Sequence, residues 1–498
     1  MNSDETKFRP DGAALGAAVT AVAATYFYFL IYAEFALLEI ARTIADDEAW
    51  RLRGLMTVLG LGGVLGSLGA AWRFRVDIWQ TQLSWSFRAC GVAAVLALVA
   101  QGWVPLLVAA GSSGLALGWL TVTLATGLRP AIGTGRLGLV VGLGTGLAYA
   151  ACNLPAVFEA AARSQAIMAA LVAGTASISA AFLTPREPSI STTADYGPGG
   201  MLRWIVVLAL LVGLDSAAFY VIQHVDTLRA GSWDEGRLWL NAAVHLGAAV
   251  GAGWWLDRGG RAGLAVAGYG LLAAGWGLID QGGGGLYAAG VSIYSALLVY
   301  FPARGGRAWV AGLVYAVAGW LGSALGIGLA QEFGTVPVGV VLAVGGGVGA
   351  LLVWRQRAQR VALGGMILLV AAASPEAIAA SAEGAVARGQ QVYVAEGCIH
   401  CHSQFVRPGT VDEVRWGEAA VVTGTPPLFG NRRQGPDLAT VGRRLPLAEW
   451  HRQHLMNPRA FNPRSRMPRY DHLFTEGDGR GEALVAYLLS LRGGREVR

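Results

Sequence analysis

The stretch EGCIHCHSQFVRPG (residues 396–409) places two cysteines and two histidines within five residues, and its reading decides what the last part of the chain folds around. CIHCH (398–402) is C-x-x-C-H: two thiols one helical turn apart can form thioethers to both vinyl groups of a haem, and the adjacent histidine then meets the iron. A zinc site built on the same residues needs a fourth ligand in a tight loop, and the spacing favours haem. The expectation is one covalent haem c, attached through Cys398 and Cys401, with His402 as an iron ligand. A sixth ligand is expected downstream. SRMPRY (465–470) offers Met467, a soft donor that favours reduced iron, in preference to Met456 within the helical-looking EWHRQHLMNPR (449–459). His400, between the cysteines, is read as a surface residue. His451, His454 and His472 are read as solvent-facing or propionate-side rather than as ligands.

Everything upstream of this cluster looks made for lipid. Of 498 residues, 54% are hydrophobic and 14% charged, the mean hydropathy is +0.47, and glycine numbers 71. That balance excludes an ordinary soluble enzyme and fits a polytopic membrane protein whose helices approach closely. The net charge of +6 comes from arginine, since Lys7 is the only lysine. It is read as topology, and no nucleic-acid partner is expected. The first apolar run is too long for a cleavable signal and lacks a small-residue cleavage site. Cys90 and Cys152 stand singly in apolar helices and read as small buried hydrophobes.

Apolar segments able to cross the bilayer are expected near 12–40, 54–72, 84–101, 104–127, 135–153, 164–183, 201–223, 236–256, 261–279, 285–301, 308–330 and 336–354, with a shorter thirteenth at 361–374. With the N-terminus inside, the inner connections collect sixteen basic residues, from Lys7 and Arg9 to Arg360. The outer ones collect six: Arg42, Arg51, Arg53, Arg163, Arg229 and Arg237. The positive-inside rule therefore gives a cytoplasmic N-terminus and, after the thirteenth crossing, a periplasmic C-terminal domain in a bacterial inner membrane. The expected organisation is all-α. A six-helix half (1–183), a cytoplasmic linker (184–200) and a second half (201–354) are followed by an anchor (361–374) and a cytochrome c domain (384–498).

Six helices, a polar loop and six more is the layout of transporters built from two related halves. GWWLDRGGRA (253–262) resembles the loop motif G-x-x-x-D-R-x-G-R of the major facilitator superfamily and lies where that family has it, between the second and third helices of a half. The matching place in the first half, GSLGAAWRFR (66–75), keeps the glycine and arginines but lacks the aspartate. The resemblance implies a twelve-helix transporter fold.

At the other end, GQQVYVAEGCIHCHSQFVRP, GNRRQGPDLATVG, EWHRQHLMNPR and SRMPRY, in that order over about 100 residues, are similar to the mono-haem subunit II of cbb3-type cytochrome c oxidases. The resemblance implies haem attachment at Cys398 and Cys401, axial ligation by His402 and Met467, and a haem-side segment formed by Gly435, Pro436 and Asp437. It also implies a catalytic haem–copper partner, with other cytochrome c subunits or soluble carriers as donors. That subunit has one membrane helix and no twelve-helix unit, so the chain joins two architectures.

A haem–copper catalytic subunit needs about six helix histidines, and the membrane region has His224 and His245 only. The chain is therefore expected to carry electrons for a terminal oxidase, or for a nitric oxide reductase of similar build, without being catalytic alone. The alternative is a transporter with a redox-sensing or redox-coupled cytochrome. Glu34, Asp215 and His224 lie inside helices and are candidates for function by default, weighed against simple hydrogen bonding in a packed bundle. Scarce methionine and the lack of close methionine or histidine pairs weigh against copper import.

Overall fold

The computed structural model describes residues 12–45, 49–184, 200–233, 235–353, 386–416, 420–421, 432–475 and 479–492. The chain divides into two compact units. The expected linker, apart from its two end residues, and the expected thirteenth helix lie outside the described residues.

Each of the twelve apolar segments is helical where the sequence places one. Among the described residues, eight helices are long and apolar enough to cross a membrane: Gly12–Ile44, Trp50–Arg73, Val76–Val99, Trp103–Ile132, Ala162–Phe182, Gly200–His224, Gly284–Gly305 and Ala308–Phe333. Those at Leu137–Cys152, Glu235–Leu256, Arg261–Gly277 and Val338–Val353 are shorter or less apolar. The third helix begins earlier than expected, because Val76–Ile78 forms a 3-10 turn that leads straight into Trp79–Val99. Trp79 is buried there and donates its indole N–H to the Thr123 carbonyl at 2.7 Å, which draws this polar start inside.

Lipid gives helices no hydrophobic reason to associate, so close backbone approach and interhelical hydrogen bonds must hold them. Gly138, Gly142 and Gly146 recur every fourth residue and lie against the Glu235–Leu256 helix; a Cβ on Gly142 would stand 2.9 Å from the Gly253 Cα. Hydroxyls add specific bonds: Tyr28 donates to the Cys90 carbonyl at 2.8 Å, and Tyr32 pairs with Ser113 at 3.0 Å. Cys90 and Cys152 are buried, as expected.

Asp257, from GWWLDRGGRA, ties together helices distant in the chain. Its carboxylate accepts the Gly138 and Leu139 amides at 2.6 and 2.9 Å, capping the N-terminus of the Leu137–Cys152 helix. Those amides have no partner within their own helix, and the helix dipole favours an anion there. Arg129 adds a bond to the Arg304 carbonyl at 2.8 Å.

The C-terminal unit is a small helical domain. A helix over 386–395 packs on the C-terminal helix Arg480–Ser490, with the Tyr393 and Tyr487 rings 5.6 Å apart. Between them run short helices at Cys398–Cys401, Val411–Trp416, Val441–Arg444, Ala448–Met456 and Pro458–Phe461, and a two-residue antiparallel pair, Phe405–Val406 with Ala420–Val421. The core gathers Val392, Tyr393, Cys398, Leu455, Tyr470 and Leu484.

Candidate haem site

The CIHC turn starts after Gly397, whose φ of 73° is the left-handed conformation glycine adopts without strain. One turn of helix then sets Cys398 and Cys401 on the same side. Both thiols are free. Cys398 is buried in the core, and burial raises its pKa to about 11 against a hydrogen bond from Tyr470.

The segment 432–438 runs alongside 400–403, joined by three amide bonds: Arg432 to the His400 carbonyl at 3.0 Å, Gly435 to Cys401 at 3.0 Å, and Leu438 to Ser403 at 2.8 Å. This alignment lays Gly435 and Pro436 over the His402 ring. His402 Nδ1 lies 2.9 Å from the Pro436 carbonyl. A carbonyl only accepts, so Nδ1 carries the proton and Nε2 is left as a lone-pair donor. Burial holds the imidazole below its ordinary pKa, against the opposing effects of the Pro436 bond and Asp437, which keeps it neutral as an iron ligand must be. The approach is close enough to need glycine: a Cβ on Gly435 would stand 2.6 Å from Nδ1 and 2.8 Å from Nε2. Tyr393 donates to the His402 carbonyl at 2.9 Å from behind.

A chain of charges fixes the segment. Buried Asp437 accepts the Phe405 amide at 3.0 Å and the Ala439 amide at 2.9 Å, and pairs with Arg433 at 3.2 Å. Arg433 also meets Asp412 at 3.1 Å, and Asp412 pairs with Arg407 at 2.7 Å. The Arg407 bond chiefly holds the Asp412 carboxyl down, at about 2. Arg433 itself has φ 44°, a strained value for a residue with a Cβ, offset by this set of side-chain bonds. Sequence reading missed Arg433 and Asp412. The available signal was the i, i+4 spacing of Arg433 and Asp437 within GNRRQGPD.

Met467 is partly buried against the same core as Cys398, whereas Met456 is 38% exposed at the end of its helix. His400 is exposed. His472 is largely exposed and pairs with Glu396 at 3.1 Å. One expectation needs correction: His451 is not solvent-facing. It is buried, with Nε2 2.9 Å from the Leu445 carbonyl, because an imidazole that donates to a carbonyl can serve as a satisfied core residue. Burial lowers its pKa to about 4. His454 stacks on Trp450 at 4.7 Å, and its Nδ1 has no hydrogen-bond partner among the described residues.

The donor set fits a covalently held haem: two unpaired thiols on one turn, a neutral imidazole with its outer nitrogen fixed, and a thioether against the same core. Among the described residues no group of three or more His, Cys, Asp or Glu side chains converges.

In the membrane region, Asp215 accepts hydrogen bonds from the hydroxyls of Tyr287 and Tyr294. Glu34 lies within electrostatic reach of Asp215. His224 is bonded through Nδ1 to the Tyr220 carbonyl of its own helix, 2.8 Å away.

Comparison with known proteins agrees with the division into two architectures. No curated protein matches the chain. Among solved structures, a bacterial homologue of the iron transporter ferroportin in an outward-facing state aligns over 68% of this chain and 98% of its own, with 14% identity and a TM-score of 0.50. The proton:xylose symporter XylE of the major facilitator superfamily aligns over 68% and 94%, with 14% identity and a TM-score of 0.46. The first likeness shows a shared fold for the helical region. Residues 365–488 match the family described as cytochrome c oxidase, mono-haem subunit/FixO. The chain thus joins a membrane region with a transporter's fold to a C-terminal segment that resembles the mono-haem subunit of cytochrome c oxidase.

Proposed function

We propose that the chain is a membrane-anchored c-type cytochrome that passes electrons to the catalytic subunit of a haem–copper oxidase of the cbb3 type. The observation that carries this reading is the fixing of His402: its Nδ1 proton is committed to Pro436, beside the free thiols Cys398 and Cys401, within the segment that matches the oxidase subunit family. A haem held there supplies one-electron exchange between donor and acceptor. The protein's own contribution is to orient the imidazole, keep it neutral, and exclude water with Tyr393, Tyr470 and Leu484. Met467, packed against that core, is the proposed second axial ligand, since a thioether favours the reduced iron of an electron carrier.

On this reading the twelve helices and the 361–374 segment all cross the bacterial inner membrane. The cytochrome unit lies on the periplasmic side, where soluble or membrane-bound cytochromes can reduce it. Nitric oxide reductase, whose catalytic subunit has similar build, is the other acceptor of the same chemistry. The test is haem staining on a denaturing gel with a pyridine haemochrome spectrum, in the native chain and in Cys401→Ala. The native chain should carry one covalent c-type haem, and Cys401→Ala should lose most of the stain while remaining in the membrane. A full-strength band from Cys401→Ala would overturn the attachment.

A further inference from the structure

The stretch NPRAFNPRSRMPRY (457–470) carries four arginines and no acidic residue, and it brings Met467, the proposed second axial ligand, to the core. Its course is fixed at several points. The Asn462 amide donates to the Pro458 carbonyl at 3.1 Å, and the Ser465 amide to the Asn462 carbonyl at 2.8 Å. The Met467 amide meets the Ser465 hydroxyl at 3.2 Å. The Arg469 guanidinium donates to the Met456 carbonyl at 3.1 Å, which folds the segment back on the end of the Ala448–Met456 helix. Pro458, Pro463 and Pro468 each fix their own φ. The arginines are therefore presented from a fastened backbone.

Several arginines of this unit are paired: Arg407 and Arg433 with Asp412, Arg452 with Glu449 and Glu482, Arg480 with Glu396. Within the segment, Arg469 pairs with Asp471 at 3.0 Å. Arg459, Arg464 and Arg466 are exposed, and none of them forms an ion pair with any described residue. Three like charges between positions 459 and 466 repel one another, and nothing within the described chain offsets that repulsion. Arg432, on the segment that lies over the His402 ring, is likewise exposed and meets no carboxylate among the described residues. Both stretches that meet the proposed iron ligands thus present positive charge. Met456, 38% exposed where Arg469 is tied to it, adds an apolar side chain. Unpaired charge of one sign beside an exposed apolar side chain is what a transient contact between two proteins uses for steering.

We infer that the face formed by Arg459, Arg464 and Arg466 around Met467 is the docking surface for an electron donor, a redox protein with an acidic face. The inference rests on the haem reading, with Met467 as ligand, and adds the kind of partner. One electron leaves the donor's reduced centre and turns the ferric haem ferrous; no bond or proton changes place. An acceptor subunit held permanently in the assembly has no need of steering, whereas a donor must arrive and leave at every turnover. A positive field raises its rate of encounter more than the lifetime of the complex. An acidic lipid surface would carry the same charge. The segment suits it poorly, because Tyr470 is buried, Phe461 is partly buried, and no exposed aromatic ring is left to sit among headgroups.

The test is stopped-flow reduction of the ferric full-length protein in phosphatidylcholine nanodiscs. The probes are the reduced soluble domain of cytochrome b5, which is acidic, and hexaammineruthenium(II), a small cation. One triple variant combines Arg459→Gln, Arg464→Gln and Arg466→Gln. A control combines Arg388→Gln, Arg443→Gln and Arg492→Gln, exposed arginines on elements that carry neither proposed ligand. All are checked for native elution and haem content. The rate with cytochrome b5 should fall about tenfold or more between about 10 and 300 mM salt. At low salt the first variant should be slower by about fivefold or more and the control by less than about twofold, with lysine at 459, 464 and 466 restoring the native rate. Equal rates for native protein and first variant would overturn the inference, as would a slowing shared by hexaammineruthenium(II), which would report an altered haem. A native-to-variant ratio that collapses to one in phosphatidylglycerol nanodiscs would give the face to lipid and overturn it too. A native chain without covalent haem would fail the haem reading beneath it; the other contrary outcomes leave that reading standing.

Discussion

Gly435→Ala tests the haem-side geometry directly. The new methyl would stand 2.6 Å from His402 Nδ1 and 2.8 Å from Nε2, where ordinary contact begins at 3.4 Å. The ring must therefore retreat by about 1 Å, which takes a 2.9 Å bond to the Pro436 carbonyl beyond hydrogen-bonding range. Losing that bond costs about 1 kcal/mol and the overpacking about 1–3 kcal/mol, so the domain should lose roughly 2–4 kcal/mol. At about 4–8 °C per kcal/mol for a domain of this size, thermal unfolding followed by haem absorbance should fall by roughly 10 °C or more. The haem potential should also rise, because an imidazole that no longer donates to a carbonyl is a less basic ligand and supports ferric iron less well. Gly442→Ala is the control. Its methyl would press on the Leu489 backbone, away from His402, so it should lower stability and leave the potential where it was. Equal potentials for native protein and Gly435→Ala would refute the assignment of Gly435 and Pro436 to the haem side.

Met467→His should retain the haem and lower its potential by something on the order of tenths of a volt, read in a redox titration; an unchanged potential would remove Met467 as the ligand. Acidification should weaken the cytochrome unit through His451. Its pKa is near 4 in the folded state against an ordinary 6.5, so its contribution is intact above about pH 6.5 and is lost as pH falls toward 4, up to roughly 3 kcal/mol. Denaturant midpoints at pH 7 and 4.5 should show that loss in the native chain and much less of it in His451→Gln. Asp215→Asn should leave electron transfer to oxygen or nitric oxide within about threefold, below roughly 1 kcal/mol in barrier. A reporter active only outside the cytoplasm should be on after Arg498 and off within 184–200; the reverse pattern would break the proposed topology.

The helices were legible because their signal is bulk apolarity over a length that the bilayer sets. CIHCH stood out because the covalent haem attachment proposed for it needs two thiols and a histidine at fixed spacing. What the sequence hid was orientation of side chains in three dimensions. His451 looks like any surface histidine in EWHRQHLMNPR until the Leu445 carbonyl is seen to satisfy it. Arg433 and Asp412 lie 21 residues apart in sequence, and no local pattern announces that they pair. Tyr287 and Tyr294 were two apolar-helix tyrosines among many, because hydrogen bonding to Asp215 joins helices distant in the chain. Asp257 fell in between: the loop motif marked it, but only the packing of Gly138 against its helix revealed which amides it caps.

The central claim, that this chain hands electrons to an oxygen- or nitric-oxide-reducing partner, is tested most directly by purifying it from mild detergent with whatever it holds, reducing it, and mixing it rapidly with oxygen or nitric oxide. The account predicts that b-type haem copurifies and that the c-type haem is reoxidised within the turnover time of the assembly. A preparation with its full c-type haem, no b-type haem, and a c haem that stays reduced on mixing with either gas would contradict it.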